Sequence, residues 1–164
     1  MPLSGYRVLL GVTGGIACYK SCEIVSSLRK FGAQVDVVMT EHACQFVSPM
    51  TFESLSGNRV VSDMFARPEK WDIAHVSLAQ RADLCVIAPA TANVLAKLAY
   101  GIADDMLTTT ALALRAPLIV APAMNTAMYE HPATQTTLRV LRERGVEIWE
   151  PDSGRLACGD VGIG

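Results

Sequence analysis

Apolar residues follow two rhythms along the chain. Five short runs, at 7–12, 33–39, 84–88, 118–121 and 146–149, are mostly apolar and rich in β-branched residues. Between them lie segments with helical spacing, at 16–31, 76–82, 92–100, 105–114 and 134–144. In the last, Thr134, Leu138 and Leu141 share one face at i, i+4 and i+7, while Arg139, Arg142, Glu143 and Arg144 mostly point away. Apolar runs that each lead into a helix predict an α/β domain, with a parallel sheet covered by helices on both faces. Such sheets bind ligands beyond the C-terminal ends of their strands, near a topological switch point. The informative residues are therefore those just after each strand.

The 164 residues fit one domain. Charged residues are 18 % of the chain and apolar ones 51 %, with a net charge of −2. A disordered chain would be far more polar. No basic excess and no Lys/Arg run exists to track phosphates, so no nucleic-acid partner is expected. The apolar surplus predicts a face turned toward a partner subunit or a ligand. No run is long enough to span a membrane, and no signal-peptide pattern opens the chain. With an odd count of five cysteines, the expected compartment is the reducing cytoplasm. Cys18 and Cys22, four apart, invite a zinc reading, but no second pair at ligand spacing follows and no metal is expected.

After the first run comes Gly11-Val12-Thr13-Gly14-Gly15-Ile16. Glycines allow close backbone approach and a helix start attracts an anion, so a phosphate fits here; a plain tight turn uses glycine too. The spacing is neither G-x-G-x-x-G nor a Walker loop. Asp36 lies about where a dinucleotide-binding acid would be sought, but inside the second run; that run ends on Met39-Thr40, a hydroxyl rather than a carboxylate. After the third run comes Pro89-Ala90-Thr91-Ala92-Asn93, and after the fourth Pro122-Ala123-Met124-Asn125-Thr126-Ala127-Met128-Tyr129. Each loop has a proline, small residues and an Asn, which either caps the next helix or bonds the edge of a flat ring. His75 stands before a predicted helix, as a structural or a functional histidine. The tail from Pro151 is glycine-rich, has no periodicity and carries Cys158. It reads as a mobile loop bringing a thiol over a site, or as an inert linker.

These residues resemble the flavin-containing cysteine decarboxylases. Residues 89–93 are similar to that family's Pro-Ala-Ser-Ala-Asn-Thr motif, with Thr91 and Val94 as departures. Residues 122–129 are similar to its Pro-x-Met-Asn-x-x-Met-Trp motif, with Tyr129 in place of Trp. Leu-Ala-Cys-Gly-Asp at 156–160 resembles the substrate clamp of the phosphopantothenoylcysteine decarboxylase branch, and His75 falls where the family has its active-site His. In bacteria that branch is the first half of a bifunctional chain ending in phosphopantothenoylcysteine synthetase, so a synthetase domain is expected beyond residue 164.

The resemblance implies a Rossmann-like (flavodoxin-like) domain over 1–164, with 151–164 as a Gly-rich clamp. It implies FMN between the subunits of a homotrimer, and trimers that assemble further into a dodecamer. Gly14, Gly15, Ile16, Thr40, Thr91, Ala92, Asn93 and Ala123 would contact the FMN. The implied substrate is 4'-phosphopantothenoylcysteine and the products are 4'-phosphopantetheine and CO2. The implied route is oxidation to a thioaldehyde, CO2 loss to an enethiol, and re-reduction, with the flavin as a recycled electron store. Asn125 would hold the substrate carboxylate and His75 would act in oxidation and decarboxylation. Cys158 would donate the final proton, with Arg155 and Ala157 in the clamp. The competing readings are a peptidyl-cysteine decarboxylase, a flavin prenyltransferase, a non-catalytic FMN-binding subunit and a plain nucleotide-binding module. The clamp around Cys158 argues against the first two. His75, Asn125 and Cys158 together argue against the third, and the missing acid at the second strand's end against the last.

Overall fold

The structure, a computed structural model, describes residues 1–65, 74–155 and 161–163. Strands β1 (Arg7–Val12), β2 (Gln34–Met39), β3 (Leu84–Ala90), β4 (Leu118–Pro122) and β5 (Glu147–Ile148) form one parallel sheet in the order β2-β1-β3-β4-β5. The parallel sheet is the one the sequence pattern predicts, and its order is the flavodoxin-like one that the resemblance implies. The winding direction reverses between β1 and β3, so the crevice opens above those two strands.

Strand pleat divides the core. Val8, Leu10 and Val12 of β1 pack on one face with Val25 of α1 (Ser21–Lys30) and Phe52 of α2 (Pro49–Ser56). Leu9 faces the other side, where Leu107 of α5 (Met106–Leu112), Leu95 of α4 (Ala92–Tyr100) and Leu138 of α7 (Pro132–Glu143) cover the sheet. Each such side chain, fully buried, contributes about 1.5–3 kcal/mol. Gly11 faces Leu107: a Cβ there would lie 2.6 Å from Leu107 Cδ1 and 3.0 Å from Ile87 Cγ1. Its role is helix–sheet packing, not anion binding. Gly11→Ala should lower the unfolding free energy by about 1–3 kcal/mol, the usual range for overpacking. Urea denaturation checks this, and a midpoint equal to wild type would contradict it.

Several expected boundaries move. The helix expected at 16–31 is a 3-10 turn (Ile16–Lys20) followed by α1. A helix absent from the sequence reading, α2, starts with the Ser48 side chain accepting from the Met50 N–H, has Pro49 in its first turn and stops at Gly57, whose φ is 74°. α3 (Ala74–Arg81) leads into β3, and β3 runs through Pro89 to Ala90 rather than ending at 88, with a register shift against β4 between Ile87 and Ala90. A proline offers the ladder no N–H, and the shift accommodates it. α7 begins two residues early because the His131 ring accepts from Ala133 N–H and Pro132 takes the first turn. The expected face of Thr134, Leu138 and Leu141 is buried. A five-residue helix, α6 (Thr126–Glu130), precedes it. The tail was expected to lack regular structure; instead β6 (Ser153–Arg155) pairs antiparallel with β7 (Val161–Ile163), Gly154 opposite Gly162. Asp36, weighed as a ribose ligand, is buried and bonded to Arg7 at 3.0 Å and Arg81 at 3.1 Å, so it is a structural acid.

Candidate functional site

The strand ends are stitched together by hydroxyls and amides. Thr13, fully buried after β1, donates its Oγ1 hydrogen to Pro89 O at 2.6 Å and accepts from Thr91 N at 3.1 Å. Ser21 Oγ donates to Ala88 O at 2.6 Å, and Thr40 N donates to Val12 O at 3.0 Å. Ala123 N donates to Ala90 O at 3.1 Å, joining the β3 and β4 loops. Buried hydroxyls that give and receive a bond stiffen a loop against water. Thr13 and Ser21 were missed as contributors. Their signal in the sequence was a polar residue within an otherwise apolar or tightly turned segment.

Above this floor lies a cleft of about 280 Å³. Gly14, Thr40, Thr91 and Asn93 line it, four of the eight expected cofactor contacts. Thr91 caps α4 by accepting from Val94 N at 3.3 Å. Asn93 is therefore relieved of the capping role and stands exposed in the cleft. Gly15 adjoins: a Cβ there would meet only Thr91 Cγ2 at 3.7 Å and Pro89 Cγ at 3.9 Å. Ile16 follows, exposed, and Ala92 opens α4. Neither these two nor Ala123 lines the cleft.

The cleft also holds acids that sequence reading did not anticipate: Glu41, Asp104 and Asp105, beside Lys97. Asp104 accepts from Lys97 Nζ at 2.8 and 3.0 Å, and that bond lowers its carboxyl below the ordinary range. Asp105 caps α5, its Oδ1 accepting from Thr108 N at 2.7 Å. Both carboxylates are thus satisfied within the protein. Their spacing from Lys97 along the chain, through Gly101, gave no periodic signal.

Asn125 is exposed and caps α6, its Oδ1 accepting from Ala127 N at 2.9 Å. The capping use of its oxygen leaves its NH2 group as donor for a guest. β7 lies alongside α6, so the tail pair comes up to the Asn125 loop. His75, partly exposed in the first turn of α3, is not among the residues lining the cleft. Arg155 is placed in β6 by its backbone. Ala157 and Cys158 lie outside the described residues. Burial pushes the Cys18 and Cys22 thiols up. Among the described residues, no helix is long and apolar enough to cross a membrane.

A family model described as Flavoprotein matches residues 1–164. The coenzyme A biosynthesis bifunctional protein CoaBC of Bacillus subtilis is 54 % identical over 162 residues, 99 % of this chain and 40 % of that protein. The chain thus spans two fifths of the curated relatives it matches, including the Escherichia coli protein at 46 % identity and 40 % coverage. Among solved structures, the FMN-dependent cysteine decarboxylase SpaF superposes with a TM-score of 0.88 at 39 % identity, covering 97 % of this chain and 90 % of that one. A PPC decarboxylase with one cysteine changed to serine, complexed with pantothenoylaminoethenethiol, gives 0.84 at 34 % identity, covering 97 % and 89 %.

Proposed function

The chain belongs to the flavoprotein family, and from that premise we propose that it binds FMN and decarboxylates 4'-phosphopantothenoylcysteine to 4'-phosphopantetheine. One juxtaposition carries the reading: the glycine turn and the Thr91–Asn93 loop share a cleft at the switch point, with the tail pair beside the Asn125 helix on the same loop system. The cleft fits the cofactor's polar end. Gly14 lines the cleft without a side chain, which leaves its backbone open to a guest, and packing against His42, 2.4 Å from a Cβ placed there, excludes any larger residue. Thr40 and Asn93 add a hydroxyl and an amide, and exposed Ile16 offers an apolar contact for a ring. Bound FMN would supply reversible two-electron chemistry at the carbon bearing sulfur.

The protein's part is placement and protons. Asn125 donates to the substrate carboxylate and fixes the bond that breaks. His75 serves the oxidation and decarboxylation half. Cys158 delivers the last proton, from a clamp that includes Arg155 and Ala157 and shuts out water. A homotrimer belongs to this reading, supported by exposed Ile16, Tyr19, Phe46 and Met50. So does a synthetase working beside this domain, supported by the bifunctional relatives.

The direct test is to release and identify the flavin from purified protein and to measure CO2 from the substrate. Protein that binds no FMN would refute the reading. Asn125→Asp sharpens it, because Asp caps a helix as well as Asn and α6 should survive. The change replaces a donor by a second carboxylate. Substrate KM should rise about 10- to 100-fold, the loss of a charge-assisted bond, with FMN affinity unchanged. An unaltered KM would remove Asn125 from the carboxylate site.

A further inference from the structure

Tyr129 sits at a junction that the proposed reaction does not use. Its side chain is buried at the end of α6, four residues after Asn125. Its hydroxyl donates to Glu150 Oε2, and Arg142 of α7 donates to Glu150 Oε1. Burial, and after it the bond to Glu150, raises the phenol to about 12. Gln135 Nε2 of α7 holds the Tyr129 carbonyl at 2.7 Å. Beside Glu150, Trp149 N donates to Val120 O of β4 at 2.9 Å. Glu150 is thus anchored to the sheet and stands just before Pro151, three residues ahead of the start of β6 at Ser153.

A helix of five residues cannot hold its own place. α6 closes one turn, with Tyr129 N donating to Asn125 O at 3.0 Å, and such a turn is unstable alone. Its position must come from outside contacts, and the Tyr129 ring and hydroxyl supply them. The Trp expected at this position from the resemblance has no hydroxyl to reach Glu150 in this way.

We propose that Tyr129, Glu150 and Arg142 form a latch that holds the Asn125 loop in register with the base of the tail, making Tyr129 a positioning residue. The latch itself rests on this geometry; its effect on turnover rests on the decarboxylase reading. When a binding-competent arrangement is only partly populated, apparent affinity falls by that fraction while the chemical step is untouched. Loss of the latch therefore raises KM and spares kcat.

The test uses Tyr129→Phe, which keeps the ring. Hydrogen exchange of the whole chain should show amides 126–130 and 152–155 speeding together by about tenfold, the scale of one lost charge-assisted bond, with β1 and β3 unchanged. KM for 4'-phosphopantothenoylcysteine should rise about tenfold and kcat stay within about twofold. Glu150→Ala should reproduce both effects, and the double variant should be no worse than either single one. Glu150→Gln keeps an acceptor for the phenol and should restore most of the KM. The proposal is overturned by unchanged exchange in either segment, by a uniform rise across the chain, or by a fall in kcat at constant KM. A wild-type protein without decarboxylase activity would defeat the functional reading alone, because the exchange result still decides the latch.

Discussion

Gly15→Asp is expected to yield a folded protein that purifies without bound flavin. Gly15 has φ of −116°, a conformation open to any residue. A Cβ there makes only ordinary contacts, at 3.7 Å to Thr91 Cγ2 and 3.9 Å to Pro89 Cγ. Substitution therefore leaves the turn and the sheet intact, and what changes is charge. A carboxylate about 5 Å from a phosphate costs about 3 kcal/mol per unit charge at an effective dielectric of 20. FMN affinity should fall by at least about 100-fold. Gly15→Asn, of the same shape but neutral, should lose far less. Fluorescence titration of FMN against each variant, with a thermal melt for fold, measures both. Wild-type affinity in a folded Gly15→Asp protein would place the phosphate elsewhere. Gly14 would be a poor choice for this test, since any side chain there collides with His42 at 2.4 Å.

Much of the sheet was legible because parallel strands buried on both faces are apolar at nearly every position. β1 matches its expected range, Arg7–Val12, and β2 and β4 shift by a single residue. What resisted was local chemistry that hydrophobic rhythm does not record. α2 announces itself through Ser48, Pro49 and Gly57, not through a strong apolar stripe, and its lone fully buried large side chain is Phe52. α6 is too short to show a period. Arg142 is exposed, as the periodicity predicts, but its bond to Glu150 left no mark in that pattern. A long side chain reaches past the face its Cα occupies.

The site was legible where a residue's type limits what it can do. Gly14, Thr40 and Asn93 do line the cleft, and His42 leaves no space for a side chain at Gly14, whereas Gly15 has room for one. The two Asn loops looked alike in sequence but are built differently: Thr91 caps the first helix and Asn125 the second. A cap is chosen by backbone geometry at one position, and two residues of capping type within three positions compete for it. Two of the cleft's acids, Asp104 and Asp105, come from the approach to α5, seven and eight residues beyond Lys97. Only the fold brings that segment to the glycine turn.

Cys158→Ser should leave decarboxylation running and change its product. A serine hydroxyl is a far weaker acid than a thiol, whose ordinary pKa is about 8.5. If the thiol supplies only the last proton, everything up to CO2 loss survives its removal. The species then left is the enethiol, lighter than 4'-phosphopantetheine by two hydrogens, about two mass units by the cofactor chemistry above. No other described thiol lines the cleft. Burial pushes Cys18, Cys22 and Cys44 up, and Cys85 up to about 12. In air the variant should release the enethiol over several turnovers, and mass spectrometry of the product reads it directly. Absence of CO2 would place Cys158 before decarboxylation. Saturated thiol formed at the wild-type rate would mean that another group donates the proton and that the tail serves only to cover the site.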